Sequence, residues 1–328
     1  MSSTDHVNET ESFTFGVFPL GLSGGPDGVA TGPPDDFEQM VLAMKRLQGD
    51  GEPLLIRWYI SWTGAESTEG ALQHIGQMAS IPASWDMVLC YRDPRGDVDA
   101  WIDFVKLVVT RYGNHLSNVQ VTSEINLVGF SEAADGSSPR AIEALVKGVI
   151  AAGRAKRGSD RNASIGFAVV PEIDPHSGTF WPSLAKLGGT EFVDSLDYVG
   201  LDMYPDVFGG RIVKNELASA TEQLLRSFRE LALPIAGIGP NVPIHICETG
   251  WPTGPERSEE HQSFAIETVL CTAYANRFEL NVTHWELFTL RDADSSKDNM
   301  FYQFGILRDD YSPKPAFERL CQVLTELR

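Results

Sequence analysis

The sequence predicts an α/β fold, a single (β/α)8 TIM barrel, on three observations. Eight extended apolar runs alternate with amphipathic stretches from end to end. Their starts recur about every 32 to 48 residues, the spacing of a strand followed by a helix and two loops. No glycine-rich nucleotide turn follows the first run: GLSGGPDG at 21–28 lacks GxGxxG and GKS/T and does not open directly into a helix, which disfavours an open doubly wound sheet. The segment reads as a flexible loop on the active face.

Taken in order, the strands are FTFGVFPL at 13–20, PLLIRWYI at 53–60, WDMVLCY at 85–91 and NVQVTSEIN at 118–126. SIGFAVVP at 164–171, LDYVGLDMY at 196–204, IHICE at 244–248 and NVTHWELFT at 281–289 complete the eight. Helices are expected over 35–48, 98–112, 139–157, 215–231 and 258–277, with 314–327 closing the chain; the connection near 68–79 is less clearly helical. No repeat, low-complexity tract or long linker divides the chain. The domain assignment is a disordered or extended tail over 1–12 and one catalytic barrel over 13–328.

Side-chain alternation supports a barrel. In strand six Val199, Leu201 and Met203 share one face and Tyr198, Gly200, Asp202 and Tyr204 the other. In strand four Val119 and Val121 oppose Gln120, Thr122 and Glu124. The apolar face suits the helices and the polar-tipped face the interior, which points Glu124 inward at the carboxyl end, where barrel active sites lie.

Composition narrows the partners. At 328 residues and 36.0 kDa, with 42% hydrophobic residues, the chain is long enough for one large barrel. A net charge of −19 argues against nucleic acid, anionic membrane surfaces and polyanionic substrates. The start, MSSTDHVNETES, has neither the basic residues nor the apolar core of a signal peptide, and ALVKGVIAAG at 144–153 is too short to span a membrane, so a cytoplasmic location is expected. On that reading the sequons at Asn8, Asn162 and Asn281 are incidental. Cys90, Cys247, Cys271 and Cys321 form no CxxC or CxxH pair, and His74, His115, His176, His245 and His284 form no HxH or HExxH pair, so no disulfide framework, metal or cofactor is expected.

Glu124 and Glu248 each end an extended run where it breaks into turn residues. Retaining glycoside hydrolysis needs such a pair: one carboxyl protonates the leaving oxygen and the other attacks the anomeric carbon.

ICETGWPTG at 246–254 resembles the nucleophile segment of β-1,3-glucanase-like members of the clan A glycoside hydrolases. YVGLDMYP at 198–205, HWELFTLRD at 284–292 and FGILRDDYSPKPAFERL at 304–320 resemble the last strands and closing helix of that clan. The resemblance runs from about strand two onward and is strongest after strand six. It implies a retaining enzyme acting on a carbohydrate, with Glu124 as acid/base on strand four and Glu248 as nucleophile on strand seven. It also implies that Arg57 and Tyr204 support the nucleophile and that Trp285 floors the sugar site, although either Trp285 or its neighbour Glu286 can be the inward residue.

Trp58, Trp62, Trp181 and Trp251 lie near predicted loops as further sugar contacts or as packing, and Asp202 faces inward as a hydroxyl ligand or a structural group. The clan has Asn before its acid/base, where it binds the sugar 2-hydroxyl; here that position is Ser123, and Asn126 has the parity to stand in for it. Three readings share these residues: a hydrolase of a neutral glycan, oligosaccharide or glycoside, a transglycosidase, and a carbohydrate-binding barrel without catalysis. The loops at 21–34 and 205–214 are long enough to close one end of a cleft. The sugar, its linkage, endo or exo action and the oligomeric state stay open at this level.

Overall fold

A computed structural model of the protein describes residues 13–159 and 161–328; the tail expected over 1–12 lies outside the described residues. All the main strands are parallel. Thr14–Phe18 lies between Leu55–Trp62 and Val282–Phe288, so the first strand pairs with the second and the eighth. Ser84–Tyr91 and Asn118–Val121 extend the sheet on one side, Ile244–Thr249 and Val199–Asp202 on the other. The two ends meet in the fifth strand, where Ser164–Gly166 pairs with the fourth and Ala168–Val169 with the sixth. That strand is interrupted only at Phe167, and it closes an eight-stave barrel.

The helices follow their local signals. Asp36 caps Phe37–Gln48 by accepting from the amides of Glu38 and Gln39, and Gly49, at φ 56°, ends it. Asp97 and Ser258 cap Val98–Tyr112 and Glu259–Ala275 in the same way. Ala141–Ser159, Leu217–Ser227 and Pro315–Leu327 match the other expected helices.

Three expectations change. The connection Thr68–Ala79 is helical, burying Ala71, Leu72, Ile75 and Met78 along one stripe. A further helix, Phe180–Val193, broken at Gly189, joins strands five and six. The segment 21–28, expected to be a flexible loop, instead builds a hairpin: Leu22–Gly25 pairs antiparallel with Gly28–Thr31, and Ser23 Oγ ties it to the Phe301 carbonyl at 2.5 Å.

Glycines on the inner face make room for large polar side chains. A Cβ on Gly16 would meet Glu286 Cγ at 2.6 Å, and one on Gly166 would meet the Tyr198 ring at 2.6 Å. At Gly200 it would meet Ala168 Cβ and Cys247 Sγ, each at 2.8 Å. At Gly200 the Phe167 carbonyl oxygen also stands 3.0 Å away, and neither it nor the Ala168 Cβ can swing aside. Gly200→Val is therefore expected to lower the unfolding free energy by about 2 kcal/mol, read from a urea titration followed by circular dichroism.

Candidate active site

The carboxyl ends of the strands open into a cavity of about 930 Å3. Glu124, Asp202 and Glu248 reach it from the ends of strands four, six and seven, Tyr59 from strand two and Tyr204 from just past strand six. One carboxylate oxygen from each of the three acids lies within 4.8 Å of the others.

A β-bulge aims Glu248. His245 faces the barrel interior, its ring stacked on Tyr198 at 4.0 Å and on His284 at 3.6 Å, and Cys247 Sγ crowds Gly200 from the same side. Strict alternation would then turn Glu248 toward the helices. The register slips between Ile246 and Glu248 against strand six, and between Ile246 and Thr249 against strand eight, so Cys247 and Glu248 both face inward.

Both Glu248 oxygens are held. Oε1 accepts from the Tyr59 hydroxyl and Oε2 from the Tyr204 hydroxyl at 2.7 Å, with Arg57 Nη2 standing 3.5 Å from Oε1. Burial pushes both phenols well above the ordinary tyrosine value and the Glu248 carboxylate pushes the same way, outweighing Arg57 at Tyr59, so both remain donors. Arg57 lies below the cavity, fully buried in the middle of its strand rather than at its end. It donates to Asp86 Oδ2 at 2.5 Å, to Gln120 Oε1 at 2.9 Å and to the Tyr59 hydroxyl at 2.6 Å. Tyr59 thus relays Arg57 to Glu248.

Glu124 arrives by a different route. Strand four stops at Val121, short of the expected 126, and Thr122 (φ 72°) and Glu124 (φ 42°) are left-handed. The turn, not strand parity, carries Glu124 to the cavity. Such backbone costs roughly 1 kcal/mol or more per residue and needs outside support. Asp135 provides it: its Oδ2 accepts from the amides of Tyr91 at 2.8 Å and Ser123 at 2.9 Å, and its own amide donates to the Ser123 carbonyl at 2.9 Å. Burial pushes the Glu124 carboxyl well above the ordinary glutamate range, and the negative charge of Glu248 adds to the push. The same two causes, in the same order, raise Asp202.

The other expected contacts lie elsewhere. Ser123 is buried outside the cavity lining, its Oγ unpartnered. Asn126 exchanges hydrogen bonds at 2.9 Å with both the amide and the carbonyl of Val170, so it serves the backbone after strand five. Trp251 is buried beside the cavity, donating to Asp206 at 3.2 Å, with Arg257 over its ring. Trp285 is fully buried and lines no part of the cavity, because Glu286 takes the inward position against Gly16. The aromatic ring that strand eight presents to the cavity is Phe288. Of the other tryptophans, Trp58 lines the cavity, while Trp62 and Trp181 are core.

Sequence reasoning missed Tyr59, Phe288 and Asp135. The first two were within reach, since Tyr59 shares the parity of Arg57 and Phe288 that of Glu286. Asp135 sits in an irregular loop and carries no local signal.

The acids of this barrel stand at the carboxyl ends of its strands, where barrel enzymes carry their reacting groups. No protein-family model and no curated protein matches the chain. Solved structures match in fold. A β-glucosidase from Exiguobacterium marinum has a TM-score of 0.65 at 14% identity, over 97% of this chain and 99% of its own. A family 39 glycoside hydrolase from Bacteroides cellulosilyticus has 0.61 at 16%, over 96% of this chain but 64% of that enzyme, so the chain spans just under two thirds of its length. A family 17 β-1,3-glucanosyltransferase from Rhizomucor miehei has 0.56 at 14%, over 93% and 96%. At these identities the likeness is one of fold. Among the described residues, no helix is long and apolar enough to cross a membrane.

The clamp under Glu124 titrates. Burial pushes Asp135 up to about 6, against the pull of Arg92 and the two amides. Its proton is held more tightly in the folded state than in the unfolded chain, whose aspartates titrate near about 3.9. The resulting stability is whole below about pH 4 and is lost as pH rises through about 6, a loss of about 3 kcal/mol. In Asp135→Asn one oxygen still serves both amides and this titration disappears. Unfolding free energy measured by urea titration from about pH 4 to 7 is expected to fall less steeply in the variant than in the wild type.

Proposed function

We propose that this protein is a retaining β-glycoside hydrolase, cleaving the O-glycosidic bond of a carbohydrate by double displacement, with Glu248 as nucleophile and Glu124 as acid/base. The observation that carries the reading is the facing pair of carboxyls, with oxygens within 4.8 Å. Retaining enzymes hold theirs about 5 to 5.5 Å apart, whereas an inverting pair leaves about 6.5 to 9.5 Å for a water. The glycoside hydrolases among the fold neighbours support the same reaction class.

Each residue has a part. Glu248, steadied by Tyr59, Tyr204 and the Arg57 charge, attacks the anomeric carbon. Glu124, kept protonated by burial and by the Glu248 charge, gives its proton to the departing oxygen. Once the glycosyl ester forms, the Glu248 charge is gone and Glu124 loses that push. It then takes a proton from water, whose oxygen bonds to the anomeric carbon and frees Glu248. Asp202 and Trp58 are the other expected substrate contacts in the cavity lining; both Asp202 oxygens are buried and unpartnered on the floor, one of them within 4.8 Å of an oxygen of each glutamate. Transfer to an acceptor sugar, the activity named for the Rhizomucor protein, uses the same two glutamates; product analysis at high acceptor concentration separates the two outcomes.

A panel of 4-methylumbelliferyl β-glycosides tests the reading. Wild type is expected to turn over at least one of them, Glu248→Ala none at an unchanged circular dichroism spectrum, and a 2-deoxy-2-fluoro glycoside to label Glu248 by mass spectrometry. No turnover together with no label would falsify the assignment. Glu124→Gln is expected to lower kcat by about 10² to 10⁴, least for the best leaving groups. Because Glu124 must be protonated to act as acid, wild-type kcat/KM is expected to fall as pH rises through its raised pKa, a limb absent from the variant.

Tyr59→Phe leaves Glu248 Oε1 without its hydroxyl donor. A hydrogen bond to a charged group is worth about 1.5 to 3 kcal/mol, so kcat is expected to drop by about ten- to a hundredfold. Three carboxylate oxygens at this spacing also suit a hard divalent cation. Turnover unchanged by EDTA rules against that second reading, and activity restored by Mg²⁺ or Ca²⁺ after EDTA favours it.

A further inference from the structure

We infer that one wall of the cavity is an aglycone site for an apolar group, so that the substrate is a glycoside of a hydrophobic alcohol or phenol rather than a sugar polymer. The sugar half of this inference rests on the glycosidase reading; the apolar half rests on the wall itself.

The wall is a continuous run of aromatic rings that starts at the nucleophile. Tyr59 packs edge-on against Phe18 at 5.1 Å, and Phe18 stacks on Phe288 at 5.2 Å. Phe288 meets Phe304 at 5.7 Å, which also meets Tyr204 at 5.7 Å. From there the run reaches the mouth through Phe208, 5.4 Å from Tyr204 and stacked on Phe301 at 6.1 Å. The hairpin after strand one adds Leu22 and Val29 to the lining. Phe208 is 57% exposed and Val29 43% exposed, although both line a cavity where burial would be favourable.

A sugar subsite needs more than aromatic faces, because hydroxyls ring the edge of every residue and must find partners. The run from Phe288 to the mouth is built of phenylalanines, which have no polar edge. Two polar side chains interrupt it, and both are already engaged. Ser23 Oγ donates to the Phe301 carbonyl at 2.5 Å. Asp206 accepts from the Ile212 amide at 2.6 Å and from Trp251 Nε1 at 3.2 Å, and pairs with His261 Nε2 at 3.0 Å. Of the other polar side chains in the lining, Ser61, His74, Arg92 and Glu132 enter from the side of strands two to four, and Asp202 lies on the floor beside the carboxylate pair. One side of the carboxylate pair therefore offers hydroxyl partners and the other offers hydrocarbon.

The test compares octyl and methyl β-glycosides of the sugar preferred in the aryl panel, and the disaccharide carrying that sugar. Octanol and methanol leave with similar ease, so the ratio reads aglycone binding. Each buried methylene is worth about fourfold, and the expected octyl-to-methyl ratio of kcat/KM is about a hundredfold or more. Phe208→Ser is expected to lower that ratio about tenfold, any effect passed through Tyr204 falling equally on the octyl and methyl glycosides, and Val29→Asp acts as a second, independent change in the wall. A ratio near one, or a disaccharide hydrolysed faster than the octyl glycoside, overturns the inference. Fluorescence titration with free 4-methylumbelliferone tests the wall without turnover. Binding that weakens in Phe208→Ser, with no glycoside turned over, upholds the apolar site and sinks the glycosidase reading; turnover with an octyl-to-methyl ratio near one and no binding does the reverse.

Discussion

The buried guanidinium of Arg57 is the interaction on which the site depends. An unpaired charge in the barrel interior would cost several kcal/mol, so its partners are constrained to be where they are. They come from four strands: Tyr59 from its own, Asp86 from the third, Gln120 from the fourth and Glu248 from the seventh. Pairing Arg57 therefore holds the staves in register and sets the position of the carboxylate above it. Burial pushes Glu124, Asp202 and Glu286 well above the ordinary carboxylate range, so Asp86 and Glu248 are the carboxylates that face the guanidinium.

The two glutamates reach the cavity through backbone that departs from the regular strand. A bulge at the end of strand seven reverses the expected parity of Glu248, and two left-handed residues after strand four turn Glu124 over the barrel mouth. Both departures are stabilised by neighbours: strands six and eight flank the bulge, and Asp135 clamps the turn. The aim of each carboxylate is thus a property of the packed barrel.

The cavity is divided in character. Its floor is polar, with donors converging on Glu248, while the loops after strands one, six and eight supply an apolar wall. The interior glycines Gly16, Gly166 and Gly200 permit this arrangement, because they leave volume inside the barrel for Glu286 and Tyr198 that ordinary aliphatic layers would fill.

The sequence by itself determined the eight-fold alternation, the boundaries of helices such as Val98–Tyr112, and the location of Glu124 and Glu248 at the ends of the fourth and seventh strands. These follow from periodicity, which is a local property of the chain. Its reading of Trp285 as a sugar floor, and of Ser123 and Asn126 as ligands, did not survive placement, since Glu286 holds the inward position in strand eight and a turn breaks strand four before residue 123. Only the tertiary structure decided how the two glutamates reach the cavity: a bulge in strand seven turns Glu248 inward, and a left-handed turn clamped by Asp135 carries Glu124. The physical reason is that period-two alternation predicts facing only while the strand stays regular. Bulges and left-handed turns are stabilised by hydrogen bonds from residues distant in sequence, and no local pattern encodes them.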